Sequence, residues 1–240
     1  QRFVVSTNVD SDILKLDLEA MMDVSDSSPA YDAKINVKKA DLYKLNLLDN
    51  DEKMVLSTNI NAKLSGNDID KIYGNVCVDN TKFTDSRGEY FMDTLNLALT
   101  KNHFDSKDIK VSCDFFDVDV NGIFNFRNIG NSFKNYVMNH FHVNKWTDKG
   151  LRLNAEPQDF YVNLVLKNTE TLSRLLMPGL KVSENTSLTA TFTSSNYQLH
   201  STLESEKITY NKFIFNDLYV KNKTDKNKAV TLRERPTTML

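Results

Sequence analysis

The chain has 240 residues, with only 7 Gly and 4 Pro, and its 30 basic and 32 acidic residues give a formal net charge of −2. Scarce Gly argues against phosphate-binding loops, which need clustered glycines for close approach of the backbone, and the missing basic surplus argues against nucleic-acid binding. No apolar run approaches the ~18 residues of a membrane span. The chain begins at Gln1 without Met or a signal-peptide pattern, so we expect a piece of a longer precursor.

Apolar and polar residues alternate along most of the chain. Because the side chains of a strand point alternately to opposite faces, each alternating run predicts a strand with one apolar face. An all-parallel sheet, covered on both faces, would instead show continuous apolar runs, so the pattern predicts a mostly antiparallel, one-sided sheet. The runs are Leu14–Met22, Ile35/Val37, Tyr43/Leu45/Leu47, Leu56–Leu64, Ile72–Val78, Leu95–Leu99, Ile109–Phe115, Val162–Leu166, Leu188–Phe192 and Leu199–Leu203.

The connections between these runs carry Asn, Asp and Ser rather than Gly. These residues bond their own backbone and tolerate left-handed geometry, so they replace Gly in turns. The predicted turns are Asp49-Asn50-Asp51, Asp79-Asn80, Asp85-Ser86-Arg87-Gly88, Ser194-Ser195-Asn196 and Lys223-Thr224-Asp225. Gly74 and Gly122 stand on the apolar parity of strands, where they are expected to permit curvature.

The phase of the alternation changes once, at Phe115-Phe116. After this point the even positions are apolar, which predicts a bulge or a tight reversal. The new phase is carried by Phe116, Val118, Val120, Phe124 and Phe126, together with Gly122.

Two segments show helical rather than strand periodicity. Asn131–His142 places Phe133, Val137 and Phe141 four residues apart, and Thr169–Met177 has an N-cap residue, a leucine stripe and a stop at Pro178. Both predict short amphipathic helices that cover part of the sheet. Since no linker interrupts the chain, residues 1–240 are expected to form a single β-rich segment.

The sequence offers little support for catalysis or metal binding. Asp117–Gly122 copies the opening of a calcium loop, but its twelfth position is Asn128 rather than Glu and its flanks are strand-like. His140 and His142 lack a third zinc ligand nearby, and no nucleophile motif is present. The acidic pair Asp108/Asp114 is expected by chance among 32 acids. We therefore predict no catalytic residue, no metal and no cofactor.

The two cysteines are predicted to be free thiols. Cys77 falls on the polar parity of its run and Cys113 on the apolar parity of another, so their Cβ atoms are expected to point apart.

The apolar face of the predicted strands is compatible with two architectures. A second sheet would bury it in a sandwich, whereas a curved single sheet would leave an apolar groove. A parallel β-helix enzyme, a third reading suggested by the many Asn residues, would need a fixed coil period, and the spacing is irregular.

Residues 64–80 carry a family resemblance. They read Leu-Ser-Gly-Asn-Asp-Ile-Asp-Lys-Ile-Tyr-Gly-Asn-Val-Cys-Val-Asp-Asn, which resembles the recurring strand-and-turn unit of TamB-type translocation and assembly module proteins, relatives of AsmA-like and bridge-like lipid transfer proteins. Phe160–Thr193 resembles the same family, although Asn185 and Ala190 stand where members often carry Gly. The resemblance extends from about residue 10 to about residue 220 through degenerate motifs.

This resemblance implies an elongated, curved, mostly antiparallel sheet, a β-taco or half-pipe with two short helices. It implies a periplasmic segment of a Gram-negative envelope protein that is anchored in the inner membrane and works with an Omp85-type outer-membrane insertase through regions outside this chain. The cargo would be phospholipid acyl chains or unfolded outer-membrane protein strands, without enzymatic chemistry and without nucleic acid. The alternative is a β-sandwich binding or adhesion domain with a closed core.

The predicted groove consists of apolar residues of the alternating runs. They are Leu56, Ile60, Leu64, Val76, Val78, Leu95, Leu97, Ile109, Val111, Phe124, Phe126, Val162, Leu164, Leu188, Phe192, Leu199 and Leu203.

Overall fold

A computed structural model describes residues 1–48, 54–102, 106–140, 157–171, 173, 177 and 179–224. These residues are mostly strand, and the strand pairs are antiparallel, as the alternation predicts. The chain divides into two compact units, which we call unit 1 (Gln1–Thr100 and Lys110–Asp114) and unit 2 (Lys101–Ile109 and Phe115–Leu240). The mostly antiparallel β fold is confirmed, whereas the half-pipe shape and the single segment 1–240 stay predictions.

Unit 1 contains six consecutive strands in which each strand pairs with the next. Their alternating residues form strands because each places one apolar face on the same side of the sheet. The strands are β1 (Arg2–Asp10), β2 (Leu14–Asp23), β3 (Ala30–Asp41), β4 (Val55–Ser65), β5 (Tyr73–Asp85) and β6 (Gly88–Lys101). A seventh strand, β7 (Lys107–Cys113), has residues in both units.

Two predictions for unit 1 are wrong in their local structure. The expected turn at Asp79-Asn80 lies inside β5, where Asn80 has φ 52° and the pairing with β4 shifts register between Ser57 and Asn59. A left-handed Asn accommodates the extra residue of a bulge as readily as it makes a turn. The expected strand at Tyr43–Leu47 is a series of turns, in which Leu45 N donates to Asp41 O at 3.0 Å.

The turn between β5 and β6 is where the sequence predicts it. The Asp85 carboxylate accepts hydrogen bonds from the backbone N–H groups of Arg87 and Gly88, at 2.7 and 3.1 Å. The Arg87 guanidinium also donates to Asp85 Oδ2 at 2.6 Å. The predicted turn at Asp49–Asp51 lies outside the described residues.

Unit 2 is a second antiparallel arrangement around β12 (Gln198–Tyr210). Strands β8, β9, β11 and β12 pair in that order, and β12 also pairs with β10 and with β13. The other strands are β8 (Phe116–Ile123), β9 (Asp159–Leu166), β10 (Leu180–Val182), β11 (Ser187–Thr193) and β13 (Phe213–Lys223). Because β7 ends at Cys113 and β8 begins at Phe116, the predicted phase change falls between two strands.

The first predicted helix exists, but its start is wrong. Helix α1 spans Phe126–His140, so it begins five residues before Asn131, and Phe126 does not continue β8. Asn125 determines this start, because its backbone carbonyl accepts from Ile129 N at 2.9 Å and its side-chain oxygen accepts from Asn128 N at 3.2 Å. In the second predicted helix, 169–177, the described residues are 169–171, 173 and 177. Ser173 N donates to Thr169 O at 2.8 Å and Met177 N to Ser173 O at 3.0 Å, which is helical spacing, but the helix as a whole stays a prediction.

Candidate functional site

Antiparallel register places apolar side chains of unit 1 in rows that cross all six strands. Directly paired residues of an antiparallel ladder lie on the same face of the sheet, so each row is one line across that face. We call the face built by three rows the unit 1 apolar face. Its rows are Thr7–Leu18–Ile35–Ile60–Val78–Leu95, Val5–Ala20–Ala33–Ala62–Val76–Leu97 and Phe3–Met22–Tyr31–Leu64–Gly74–Leu99.

The side chains of the unit 1 apolar face are only partly buried. Every side chain of the three rows is half-buried or exposed, and none reaches the burial of a packed core. The fully buried apolar residues of unit 1 lie elsewhere; they are Ala40, Tyr90, Met92 and Cys113. Apolar side chains that stay partly accessible side by side are typical of a binding surface.

Most predicted groove residues of unit 1 come together on this face. Six of them share the three rows: Ile60, Leu64, Val76, Val78, Leu95 and Leu97. Leu56 lies beyond the register shift in β4, where it is paired with Ala40 and Phe83. Val111 is a half-buried residue of β7.

Unit 2 has shorter apolar rows of the same kind. Phe160 pairs with Phe192, which pairs with Leu199, and Leu164 pairs with Leu188, which pairs with Leu203. Between these rows, Val162 pairs with Ala190. The rows thus join the predicted groove residues Val162, Leu164, Leu188, Phe192, Leu199 and Leu203.

Helix α1 covers one end of the unit 2 rows. The Tyr136 ring lies 6.0 Å from the Phe192 ring in edge-on geometry, and Phe192 lies 5.4 Å from Phe160. Phe124 contacts Phe160 at 5.7 Å, so an aromatic cluster of these four residues closes this end. Phe192 is buried in this cluster, whereas Val162 is half-buried.

Phe124 and Phe126 lie near a single lysine. Lys107 Nζ is 5.2 Å from each ring centroid and donates a hydrogen bond to Phe124 O at 2.6 Å. Phe124 is buried, whereas Phe126 is exposed at the first turn of α1. Ile109, the remaining predicted groove residue, is half-buried in β7.

The opposite face of unit 1 carries a polar row that the alternation alone does not reveal. Directly paired residues across six strands are Asn8, Asp17, Asn36, Asn59, Asp79 and Thr94. Neighbours within this row are hydrogen-bonded: Asn8 Nδ2 donates to Asp17 at 2.5 Å and Asn36 Nδ2 to Asn59 at 2.5 Å. In the sequence, each of the six strands carries a polar residue at the matching position. Only the pairing register between the strands shows that these residues form one row.

A shallow depression of about 550 Å³ lies over this polar row. Its wall includes Glu19, Asp93 and Lys34 besides all members of the row except Asn8. Hydrogen bonds from Lys38 and then Asn8 lower the pKa of Asp17, so that carboxylate is held ionised. The depression is lined mostly by polar residues, and Ile60 of the predicted groove also contributes to its lining.

Cys77 belongs to this polar face, as predicted, and Cys113 is buried; both are free thiols. Cys77 Sγ donates to both carboxylate oxygens of Asp79, at 3.3 and 3.2 Å. This hydrogen bond, with burial and the nearby negative charge, raises the pKa of the Cys77 thiol.

The other chemistry-bearing residues form no cluster in the described part of the chain. The calcium-like segment is part of strand β8, and Asp117 forms an ion pair with Lys167 at 2.6 Å. Among the described residues, no group of three or more His, Cys, Asp or Glu side chains is placed to hold a metal ion. His200 is exposed on β12, while His103 and His142 lie outside the described residues.

Within the described ranges, no helix is long and apolar enough to span a bilayer. Comparison of the chain with protein-family models, with curated proteins and with solved structures found no match. The resemblance to TamB-type proteins therefore stays a prediction based on the sequence pattern.

Proposed function

We propose that this chain is a non-enzymatic module that binds apolar cargo along the unit 1 apolar face. The observation that carries the proposal is the partial exposure of every side chain in three rows that cross six strands. A binding domain with a closed sandwich core would bury these same positions, so the exposure favours an open surface over the sandwich alternative.

Phospholipid acyl chains are the cargo that this surface suits best. An acyl chain gains roughly 0.8 kcal/mol for each methylene that leaves water, and it needs no directional contact. The rows contain aliphatic and aromatic side chains at neighbouring strands, so an acyl chain could shift from one row to the next without breaking a hydrogen bond. Such a surface supports movement of lipid without chemistry.

The sequence resemblance supports a place for this module in the cell. As a TamB-type segment it would work in the periplasm of a Gram-negative bacterium, within a parent protein anchored to the inner membrane. An Omp85-type insertase would be its partner through other regions of the parent. Unfolded outer-membrane strands are the alternative cargo, because they also present alternating apolar side chains.

Site-specific photo-crosslinking tests the proposal. Ile60→p-benzoylphenylalanine puts a photoreactive group on the unit 1 apolar face, and we expect it to crosslink to phospholipid after the chain is incubated with phosphatidylethanolamine vesicles. Mass spectrometry of the irradiated chain would detect the adduct. Asn61 is the matched control, because it is the next residue of β4 and is exposed on the opposite face.

The two positions separate the possible results. Lipid adducts at Ile60 and none at Asn61 support an acyl-chain surface. Equal labelling at both positions would indicate non-specific adsorption and would refute the proposal. Absence of adducts at Ile60, with normal folding by circular dichroism, would also refute it.

A further inference from the structure

We propose that unit 2 binds a phosphate group on the face opposite its apolar rows. A depression of about 350 Å³ lies there, lined by two lysines and a histidine and, among the described residues, by no acidic side chain. We call it the basic depression, and two rows of directly paired residues form it: Thr191–His200–Lys223 and Thr189–Thr202–Lys221. This inference rests on unit 2 alone and does not depend on lipid binding by the unit 1 apolar face.

The pairing register of β11, β12 and β13 brings these side chains together. Leu199 and Leu203 of β12 belong to the apolar rows of unit 2, so His200 lies on the opposite face. Directly paired residues share a face, so both rows lie there with it. Because alternate residues of a strand are about 7 Å apart and neighbouring strands about 5 Å apart, the six positions cover roughly 7 by 10 Å. One small anion over this area is within reach of both lysines.

The two lysines of the basic depression are not neutralised by the protein. Other strand lysines pair with a carboxylate, as Lys15 does with Asp10 at 2.7 Å. Within the described part of the chain, neither Lys221 nor Lys223 forms an ion pair. Glu204, the next residue of this face along β12, is paired with Tyr219 instead. Two ammonium groups this close repel each other, and an anion bound between them would relieve the repulsion.

Hydroxyl groups in the basic depression supply neutral hydrogen-bond donors. In the described ranges, the side chains of Thr189, Thr191 and Thr202 form no hydrogen bond with the protein, and none of the three is buried. His200 Nε2 lies 3.3 Å from Thr224 O, which leaves Nδ1 of the protonated ring as a further donor.

This set of donors suits a phosphate group. A phosphate carries up to two negative charges and three or more strong acceptor oxygens, so it can use ammonium and hydroxyl donors from several directions. Tyr161 is paired with Thr191 and also lines the depression, and its ring is 43% exposed. The aromatic ring at the end of the row suits the organic part of a phosphate ester. The source of the phosphate is a soluble phosphate compound or a lipid headgroup.

Phosphorus-31 NMR with inorganic phosphate tests the site directly. We expect the phosphate signal to broaden when the 240-residue chain is added. Combining Lys221→Gln with Lys223→Gln should weaken binding roughly tenfold or more, because both charge-assisted contacts are lost. Combining Lys207→Gln with Lys212→Gln is the matched control, because it removes the same charge from two exposed lysines of the same hairpin outside the depression. Circular dichroism checks the fold of each variant.

A single substitution tests the hydroxyl donors without changing charge. Thr202→Val keeps the shape of the side chain and removes its hydroxyl group, so we expect phosphate binding to weaken severalfold. Thr202→Ser keeps the hydroxyl group and should bind phosphate nearly as the wild type does. Equal binding by the Val and Ser variants would contradict the role of this residue.

Vesicle flotation distinguishes the two sources of the phosphate. The vesicles are phosphatidylcholine with and without phosphatidic acid, whose headgroup is a phosphate monoester. Flotation that needs phosphatidic acid, and that is lost in the Lys221/Lys223 variant but kept in the Lys207/Lys212 variant, assigns the site to a lipid headgroup. Binding of inorganic phosphate without this flotation assigns it to a soluble phosphate compound. Either result supports a phosphate site.

Two results would overturn the proposal. The first is a phosphate signal that the wild-type chain leaves unchanged. The second is equal weakening in the two double-lysine variants, which indicates general attraction of anions by exposed lysines. Neither result bears on crosslinking at Ile60, so failure of this site is distinguishable from failure of the proposed function.

Discussion

At the scale of single residues, two strand glycines allow neighbouring backbones to approach closely. Gly74 has φ 132°, and a Cβ atom there would lie 2.1 Å from Lys63 O. Gly122 has φ 146°, and its Cβ atom would lie 2.3 Å from Asp159 O. The sequence alone shows that both glycines stand at apolar positions of the alternating pattern. The close approach of the neighbouring backbone is seen only once the strands are paired.

Gly74→Ala is expected to destabilise the chain strongly. The added methyl group would collide with backbone, and L side chains rarely adopt this φ, so we expect a loss of about 2 kcal/mol or more in the free energy of unfolding. Urea titration followed by circular dichroism measures it. Gly88→Ala is the control: it shares a positive φ of 149° but has no atom within 4 Å of the new Cβ. Equal losses in both variants would contradict the role of close approach.

Asp79 is expected to suppress the reactivity of the Cys77 thiol. Because the hydrogen bond to Asp79 raises the thiol pKa, less thiolate is present at a given pH and alkylation is slow. In a Cys113→Ala background, Asp79→Asn should therefore accelerate the reaction of Cys77 with iodoacetamide at pH 8. Thr94→Val, which removes a different hydrogen bond to Asp79, is the control. An unchanged rate in Asp79→Asn would contradict this assignment.

At the scale of elements, α1 stabilises unit 2 through its aromatic face. Its sequence pattern predicts a helix, but the even parity of Phe124 and Phe126 also continues the pattern of β8. The capping hydrogen bonds of Asn125 and the packing of Tyr136 on Phe192 decide between the two structures. Local periodicity was ambiguous here because a strand and a helix can share the same few apolar positions.

Tyr136→Ala is expected to destabilise unit 2 far more than Phe133→Ala. Tyr136 is 3% exposed and Phe133, one turn earlier on the same helix, is 52% exposed. Removing a buried aromatic side chain typically costs about 3–5 kcal/mol, whereas an exposed one contributes much less. Urea titration of the two variants gives the comparison. Similar losses would show that α1 does not pack as described.

At the scale of the whole molecule, carboxylates contribute stability that depends on pH. The pKa values of four aspartates at turns or strand ends are lowered. In three of them the main cause is a hydrogen bond: from Lys15 to Asp10, from Ser25 to Asp23 and from Lys44 to Asp41. For Asp85, burial raises the pKa, but hydrogen bonds from Arg87 outweigh it and the net direction is down. All four favour the ionised form in the folded state.

Stability is therefore expected to fall in acid. A carboxyl group with a lowered folded pKa stabilises fully above its unfolded pKa of about 3.9, and this stability is lost as pH falls through the folded value. Urea midpoints at pH 7, 5 and 3 should be similar at the first two values and lower at the third. Asp85→Asn should reduce the difference between pH 5 and pH 3. A midpoint that rises below pH 4 would contradict these directions.

The sequence by itself determined the class of the fold, because strand parity is a local property. Alternation predicted a mostly antiparallel sheet with one apolar side, and Asp85 marked a turn where one exists. It did not predict β1, where Phe3, Val4 and Val5 are consecutive, because an edge strand has little burial to impose alternation. Nor did it reveal the bulge at Asn80.

Only the tertiary structure decided which side chains meet and which are covered. Pairing of strands joins residues far apart in sequence, so Thr7 and Leu95 share a row that no local pattern could predict. Coverage likewise depends on packing: Phe192 is buried under α1, whereas Ile60 stays half-exposed although both follow the same alternation. Register and burial are non-local, and they separate the buried aromatic cluster of unit 2 from the partly exposed apolar face of unit 1.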